Sequence, residues 1–281
     1  MARRTKFSEY EGRYANYRFE LSEEGILLMQ CHTDGDSLVW DWKAHDEMSD
    51  AFADVAGDRE IKVLIHTGTG ESYNASWGYD DLEKPLYRGM DGQKGLMVFD
   101  EKTWYARNLI ENILAVEVPM ISAVNGPCNI HSEVALLGDI VLASEDAYFQ
   151  DLAHFPRGMV PGDGQHVIWP AIIGCNRARY MLLTGKAISA QDALEWGAVA
   201  EVLPKDQLMG RAWELARELA KRPPLTLRYT RMLLTQRLKR LFLDELAHGL
   251  AREAYAVRQF FPVGGGMQPL DKPWDEDPWT D

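Results

Sequence analysis

The sequence predicts an α/β fold with mainly parallel strands, and three observations carry the prediction. Short strand-like runs alternate with stretches of helical period, one of those runs, Ile61 to Thr67, reads as a buried strand, and the alternation gives way to helix after Asp163. At 281 residues, one large domain with at most a small appendage can bury a substantial core without disulfide staples.

The elements follow in order. Tyr17 to Leu21 and Ile26 to Cys31 flank the turn formers Ser22-Glu23-Glu24-Gly25 and read as a hairpin. Met48, Phe52 and Val55 stand at helical spacing in the run from His45 to Val55, and Ile61 to Thr67 reads as a buried strand ended by Gly68-Thr69-Gly70. The stretch from Glu71 to Gly95 is polar and aperiodic, and its length predicts a functional loop able to close over a site. A helix around Trp104 to Leu114, a strand Met120 to Val124, a short helix after His131 and a strand Asp139 to Ala143 continue the alternation. From Asp163 the chain reads as helical through Trp169, Tyr180, Ala193 and Gln207 to Lys221, with Val199 to Leu203 as the one further strand. Pro223-Pro224 breaks it. The final amphipathic run, Leu225 to Phe261, is long for a globular helix and is expected to bend near His248-Gly249, and the tail from Pro262 is expected to be extended or disordered.

Composition acts mainly by exclusion. With 43 acids against 30 Lys and Arg the formal charge is −13, which argues against an extended nucleic-acid footprint. Cys31, Cys128 and Cys175 are far apart and form neither a disulfide framework nor a zinc spacing, so a reducing cytoplasm is expected. No apolar run follows the initial MARRTKFSEYEGRY and no stretch of ~18 uninterrupted apolar residues occurs, so neither a leader nor a membrane span is expected. There is no GxxxxGK[ST], no strand-bound GxGxxG, no HExxH and no GxSxG. Two charge clusters stand out. Six acids and one Arg between Asp46 and Glu60 read as a solvated helix face, and seven bases without an acid between Lys221 and Arg240 read as a solvated or intersubunit face, with a phosphorylated cofactor as the alternative.

The remaining chemistry lies in histidines placed beside carboxylates, the usual materials of general acid and base groups. His32 and His66 read as core or edge residues, His166 and His248 as structural helix residues. His45, His131 and His154 stand at turns or element starts, where side chains can converge. In FQDLAHFPRGMVPGDG, His154 precedes Asp163 by nine residues across a Pro161-Gly162 turn that can fold the chain back, and such a pair can activate water.

The segment Pro119 to Gly164, with its VNG turn, DIVLAS strand and PGDG turn, resembles the enoyl-CoA hydratase/isomerase, or crotonase, family, and the likeness runs from about Tyr17 to about Tyr255. That resemblance implies a spiral core of repeated ββα units followed by a helical C-terminal trimerisation region. Residues 1–205 are expected to form the core, 206–261 the helical region, and 262–281 the tail. The departures from the family are informative. Where ordinary members carry a glycine run after the NG turn, this chain reads Cys128-Asn129-Ile130-His131-Ser132, and the second oxyanion segment reads Tyr73-Asn74-Ala75-Ser76-Trp77. One lost oxyanion donor is worth roughly 3–4 kcal/mol, so side-chain donors must replace what the backbone no longer offers.

That pattern resembles a divergent branch, the β-diketone hydrolases typified by 6-oxocamphor hydrolase. The resemblance implies cofactor-independent hydrolysis of a carbon–carbon bond in a cyclic or bicyclic 1,3-diketone, a retro-Claisen cleavage to a keto acid. It implies His154 as the base on water, oriented by Asp163, and His131 with the Trp40 indole as donors to the attacked carbonyl. His45 and Glu253 complete the polar wall and relay a proton to the enolate. Pairing of Asp163 with His131 is the alternative left open. Trp77 is expected to contact substrate, with Tyr79, Phe99 and Tyr255 as further aromatics shaping the pocket. Away from the resemblance, Trp40 reads as a core aromatic and Glu253 as a surface acid. No metal, nucleic acid or membrane partner is expected, and the assembly is expected to be a homotrimer or a dimer of trimers. Thioester hydratase, isomerase or hydrolase chemistry is the alternative.

Overall fold

The computed structural model describes residues 4–78 and 92–256. A short helix α1 (Phe7–Tyr10) leads into β1 (Tyr17–Leu21) and β2 (Ile26–Cys31), then β3 (Val39–Trp40), α2 (Trp42–Gly57), β4 (Val63–Thr67) and β5 (Ser76–Trp77). After α3 (Gly92–Ala115) come β6 (Met120–Val124), α4 (Ser132–Leu136), β7 (Ile140–Ser144), β8 (Tyr148–Phe149) and a single 3-10 turn, Phe155–Arg157. The last third holds α5 (Gln165–Ile173), α6 (Cys175–Thr184), β9 (Ile188–Ser189), α7 (Ala190–Glu195), β10 (Glu201–Leu203), α8 (Lys205–Ala220) and α9 (Pro224–Ala256).

Six strands form one sheet in the order β1-β2-β4-β6-β7-β10. The β1–β2 hairpin is antiparallel, pairing Tyr17 with Cys31, and every other neighbour in the sheet is parallel. All five residues of β4 and of β6 are buried, as strands covered on both faces must be. Their side chains alternate between two cores. Val63, Ile65, Ile121 and Ala123 pack with Leu208, Ala212 and Ala216 of α8, while Leu64, Met120 and Val124 belong to the larger core with Met48 and Phe52 of α2 and Ile110 and Ile113 of α3.

The Asn125-Gly126 turn explains how the strand ends are tied. Asn125 Oδ1 accepts from the Gly68 amide at 3.1 Å, and its Nδ2 donates to the carbonyls of Gly70 and Ser72 at 3.1 and 3.3 Å. A Cβ at Gly126 would strike the Glu71 carbonyl, so only glycine lets the two turns meet.

Several expectations are corrected by packing. The third helix starts at Gly92, twelve residues before Trp104, and Ser76–Trp77 forms a strand parallel to Val39–Trp40, so the aperiodic stretch carries structure at both ends, and its residues 79–91 lie outside the described residues. The acids of 46–60 are not merely solvated, because Asp54 accepts from Arg13 at 2.8 Å and Tyr14 at 2.6 Å, and buried Asp58 accepts from Tyr10 at 2.9 Å, together clamping the N-terminal segment to α2. Two bases of the basic run are interior. The Arg231 guanidinium donates to Asp139 Oδ2 at 2.6 Å and to the Val116 carbonyl, and Arg228 donates to the carbonyls of Arg59 and Ile61 at 3.0 Å each. The last helix is continuous through His248-Gly249. A Cβ at Gly249 would meet the His166 ring and the Gly162 carbonyl, so glycine serves close approach of the loop before α5 and not a hinge. Tyr255 is 80% exposed and points away from the core, and Tyr79, the Phe99 side chain and the tail lie outside the described residues. Among the described residues no helix is long and apolar enough to cross a membrane.

Candidate active site

The site is assembled where four segments end on one side of the sheet. Asp41 caps α2 by accepting from the Ala44 amide at 2.7 Å, and the first turn it starts carries buried His45. Trp40, just before the cap, is fully buried and is the register partner of Trp77 across the β3–β5 pair, which brings both indoles to this region. The Arg157 guanidinium lies 5.5 Å from the Trp77 ring centroid. His131 stands at the N-cap of α4 with φ 49° and ψ 48°, a left-handed conformation natural to glycine and costing another residue about 1–2 kcal/mol. Backbone strain of this kind gathers at functional sites.

The rings converge. Trp40 lies 4.4 Å from His131 and 5.6 Å from His45 by centroid, His45 and His131 are 5.9 Å apart, and His131 and His154 6.4 Å. Carboxylates thread between them. Asp163 Oδ2 is 3.2 Å from both His131 Nδ1 and His154 Nε2, off the hydrogen-bond axis of each, and Glu253 Oε1 of α9 is 3.8 Å from His154 Nε2. Asp163 therefore faces both imidazoles, and the question of which one it pairs with dissolves into a shared contact.

Two carboxylates escaped sequence reasoning. Glu133, fully buried, accepts from His131 Nδ1 at 2.6 Å, and its other oxygen accepts from Gln165 at 2.6 Å. Gln165 in turn accepts from Ser132 Oγ at 3.1 Å and from the Trp169 indole at 2.7 Å, so His131 is held by a network that reaches into α5. Asp151, also buried, sits 2.7 Å from His154 Nδ1. The signals were present as His-x-Glu and Asp-x-x-His, but neither spacing marks a pair unless the backbone geometry is known. His66 and His32 hold structural contacts, with Tyr73 and the Gly35 amide, and His166 is bonded to the Pro161 carbonyl.

Burial and charge set the protonation states. Burial opposes charge on His154, but Asp151 and Asp163 outweigh it and raise its pKa well above the ordinary value. His131 is raised too, burial again being overcome by Glu133 and Asp163. Burial pushes Glu133 up to about 7 and Glu253 up to about 8, whereas for Asp163 the two imidazoles outweigh burial and hold the carboxyl well below the usual range. Among the described residues, Trp40 Nε1, Asp163 Oδ1 and Glu253 Oε2 are buried without a hydrogen-bond partner, a concentration of unpaired groups that marks a place built to meet something else.

The backbone amides tell a complementary story. Those of Tyr73 and Asn74 donate to the Pro127 carbonyl at 3.0 and 3.2 Å, and those of Asn129 and Ile130 donate to the Asn74 carbonyl at 3.1 and 3.2 Å. Those four amides are thus already satisfied. The donor atoms of His131, Glu133 and Asp163, and of His154, Asp163 and Glu253, each lie within 4.8 Å of one another, so either triplet is spaced to surround a cation. The contacts of 2.6 and 2.7 Å are short enough for imidazole N–H groups donating to carboxylates.

Residues 23–262 match the model of the enoyl-CoA hydratase/isomerase family. A β-diketone hydrolase from the cyanobacterium Anabaena, solved bound to (S)-3-oxocyclohexyl acetic acid, is 43% identical with a TM-score of 0.83, covering 90% of this chain and 96% of its own. A carnitinyl-CoA dehydratase from Salmonella enteritidis is 31% identical over 188 residues, 66% of this chain and 68% of the relative. An enoyl-CoA hydratase/isomerase from Mycobacterium paratuberculosis, 24% identical with a TM-score of 0.76 over 86% and 93% of the two chains, shares the fold.

Proposed function

The chain belongs to the enoyl-CoA hydratase/isomerase family, the crotonase superfamily, and from that premise we propose that it is a cofactor-independent hydrolase that cleaves a carbon–carbon bond of a cyclic or bicyclic 1,3-diketone. The carrying observation is the exchange of donors. The amides of Tyr73, Asn74, Asn129 and Ile130, in the two segments that flank the site, are spent on neighbouring carbonyls, while a buried indole N–H without a partner and three histidines face the same space. The likeness to the Anabaena β-diketone hydrolase supports the same reading.

In this mechanism His154 Nε2 takes a proton from water as the water oxygen bonds to one carbonyl carbon. The tetrahedral oxyanion is held by Trp40 Nε1–H and by His131, whose raised pKa favours the cationic donor. Collapse of the oxyanion breaks the bond to the carbon between the carbonyls and releases an enolate. Glu253, pushed up to about 8, carries a proton at neutral pH and supplies it to that carbon, then regains one from the imidazolium 3.8 Å away. Diketone and water give one keto acid, and every proton is returned. His45 walls the oxyanion side, and Trp77 the substrate side.

Incubation with a panel of cyclic and bicyclic 1,3-diketones, following loss of the diketone and release of acid, tests the reading. Turnover of a diketone without turnover of crotonyl-CoA is expected, and the converse would sink it. The carnitinyl-CoA dehydratase likeness favours thioester chemistry as the second reading, and tight CoA binding by calorimetry would revive it. We also propose a homotrimer or dimer of trimers. Leu225, Tyr229, Leu233 and Leu243 of α9 are between 57% and 79% exposed and recur at helical spacing, as a face buried by a neighbouring copy would. Light scattering coupled to size exclusion reads the mass directly.

A further inference from the structure

We propose that Asp151, and not Asp163, orients the His154 imidazole, and that Nε2 is the nitrogen that works on water. This deepens the diketone-hydrolase reading and rests on it for the reaction.

The two carboxylates approach different nitrogens in different ways. Asp151 Oδ1 lies 2.7 Å from Nδ1 in an aligned hydrogen bond, whereas Asp163 Oδ2 lies 3.2 Å from Nε2 off the axis and at the same distance from His131 Nδ1. The backbone around Asp151 is held as well, although its second oxygen, Oδ2, is buried without a partner among the described residues. The Gln150 amide donates to the Cys128 carbonyl at 3.2 Å and the Leu152 amide to Asn129 at 3.0 Å, pinning the residues on either side of it to the segment that leads to His131. On the other side, the amides of Arg157 and Met159 both donate to the His154 carbonyl, at 2.8 and 3.0 Å, closing the turn that aims the ring. A carboxylate fixed in this way selects the tautomer with hydrogen on Nδ1 and leaves the lone pair on Nε2.

Nε2 then faces Asp163 from the loop before α5 and Glu253 from α9, with His131 at the start of α4 beside them, and Glu133 and His45 behind His131. When Nε2 takes a proton from water and the oxygen bonds to the carbonyl carbon, the new imidazolium sits between Asp151 and Asp163. Asp163 is thereby left a distinct task, as the one negative charge common to the base and to the carbonyl donor His131. Asp151 is a positioning residue in this scheme because it touches only the imidazole.

The ring tautomer is read by long-range 1H–15N correlation of histidine-labelled protein, with the His154 signals assigned by their loss in His154→Gln. On losing the imidazolium proton, His154 is expected to keep Nδ1–H, with that proton shifted strongly downfield, and the downfield position is expected to be lost in Asp151→Asn and kept in Asp163→Asn. Retention of hydrogen on Nε2, or a downfield proton that survives Asp151→Asn, overturns the assignment. The wild-type tautomer alone decides the matter even where a variant does not fold. With a diketone substrate, Asp151→Asn is expected to lower kcat by about 10²-fold, the low end of what a positioned base contributes. It also removes a negative charge from the imidazolium, so the acid limb of kcat/KM moves to lower pH, and Asp151→Glu restores the limb. Loss of kcat with the limb unmoved would mark a merely structural residue and overturn the proposal. Because the tautomer is read in the resting protein, absence of diketone turnover would refute the function and leave this assignment to its own measurement.

Discussion

Replacement of Trp40 by phenylalanine separates the two uses of a buried indole, because stability should hardly change while activity falls. Trp40 is fully buried and its Nε1–H has no hydrogen-bond partner among the described residues. Leaving a donor of that kind unpaired costs the folded protein about 1–3 kcal/mol, and phenylalanine removes that cost. The smaller ring leaves a void of roughly 40 Å³, which at about 24 cal/mol per Å³ costs about 1 kcal/mol, and the lost transfer of the removed ring atoms adds about 1 kcal/mol more. The net expectation is a variant within about 1 kcal/mol of the parent in either direction. Catalysis, in contrast, loses one donor to the oxyanion, and kcat should fall about 10²–10³-fold. Urea denaturation at fixed pH gives the first quantity and steady-state turnover of a cyclic diketone the second. A variant that loses more than about 2 kcal/mol while keeping its turnover would show that Trp40 is a core aromatic and that its N–H is not held for a substrate oxygen.

Further outcomes follow from charge and packing. Since the His154 base must be neutral and its pKa is raised well above 6.5, kcat/KM should still be climbing with pH above 6.5 and be limited on the alkaline side as Glu253, pushed up to about 8, loses its proton, and a profile flat from about pH 5 to about 9 would refute both roles. The same groups act on stability. The raised His154 contributes stability below pH 6.5 that is lost as pH rises through its folded value, whereas the depressed Asp163 contributes stability above 3.8 that is lost as pH falls, so the urea midpoint of Asp163→Asn should depend less on pH on the acid side. Arg231→Met leaves the Val116 carbonyl without its donor and partly exposed Asp139 with only the Met120 amide, and a loss of about 1–3 kcal/mol in urea denaturation is expected. Gly249→Ala places a methyl against the His166 ring and the Gly162 carbonyl, and should cost about 1–3 kcal/mol while displacing Asp163 and Glu253 enough to lower kcat.

The sequence was most readable where one local force decides the outcome. The hairpin at Gly25, the buried strands at Leu64 and Ile121 and the break at Pro223-Pro224 each follow from period or turn chemistry. Reading failed where a residue's meaning depends on a distant neighbour. Arg231 looks like one base in a charged run until Asp139 and Val116 close around it, and Asp54 looks solvated until Arg13 and Tyr14 reach it. The site divides in the same way. His131, His154 and Asp163 stand out because they interrupt turns, and the structure brings them within contact of one another. Glu133 and Asp151 stood in plain view two and three positions from those histidines, yet only the left-handed turn at His131 and the closed turn at His154 show that they face the rings.

The left-handed backbone at His131 also limits how this protein can be redesigned. A β-branched residue cannot take φ 49° without strain well beyond that of histidine, so libraries aimed at new substrates should leave valine, isoleucine and threonine out of position 131. Asparagine and glycine tolerate the turn, and asparagine keeps a side-chain N–H there. Any widening of the pocket at that position therefore has a short alphabet, set by the main chain before the chemistry of the ligand is considered.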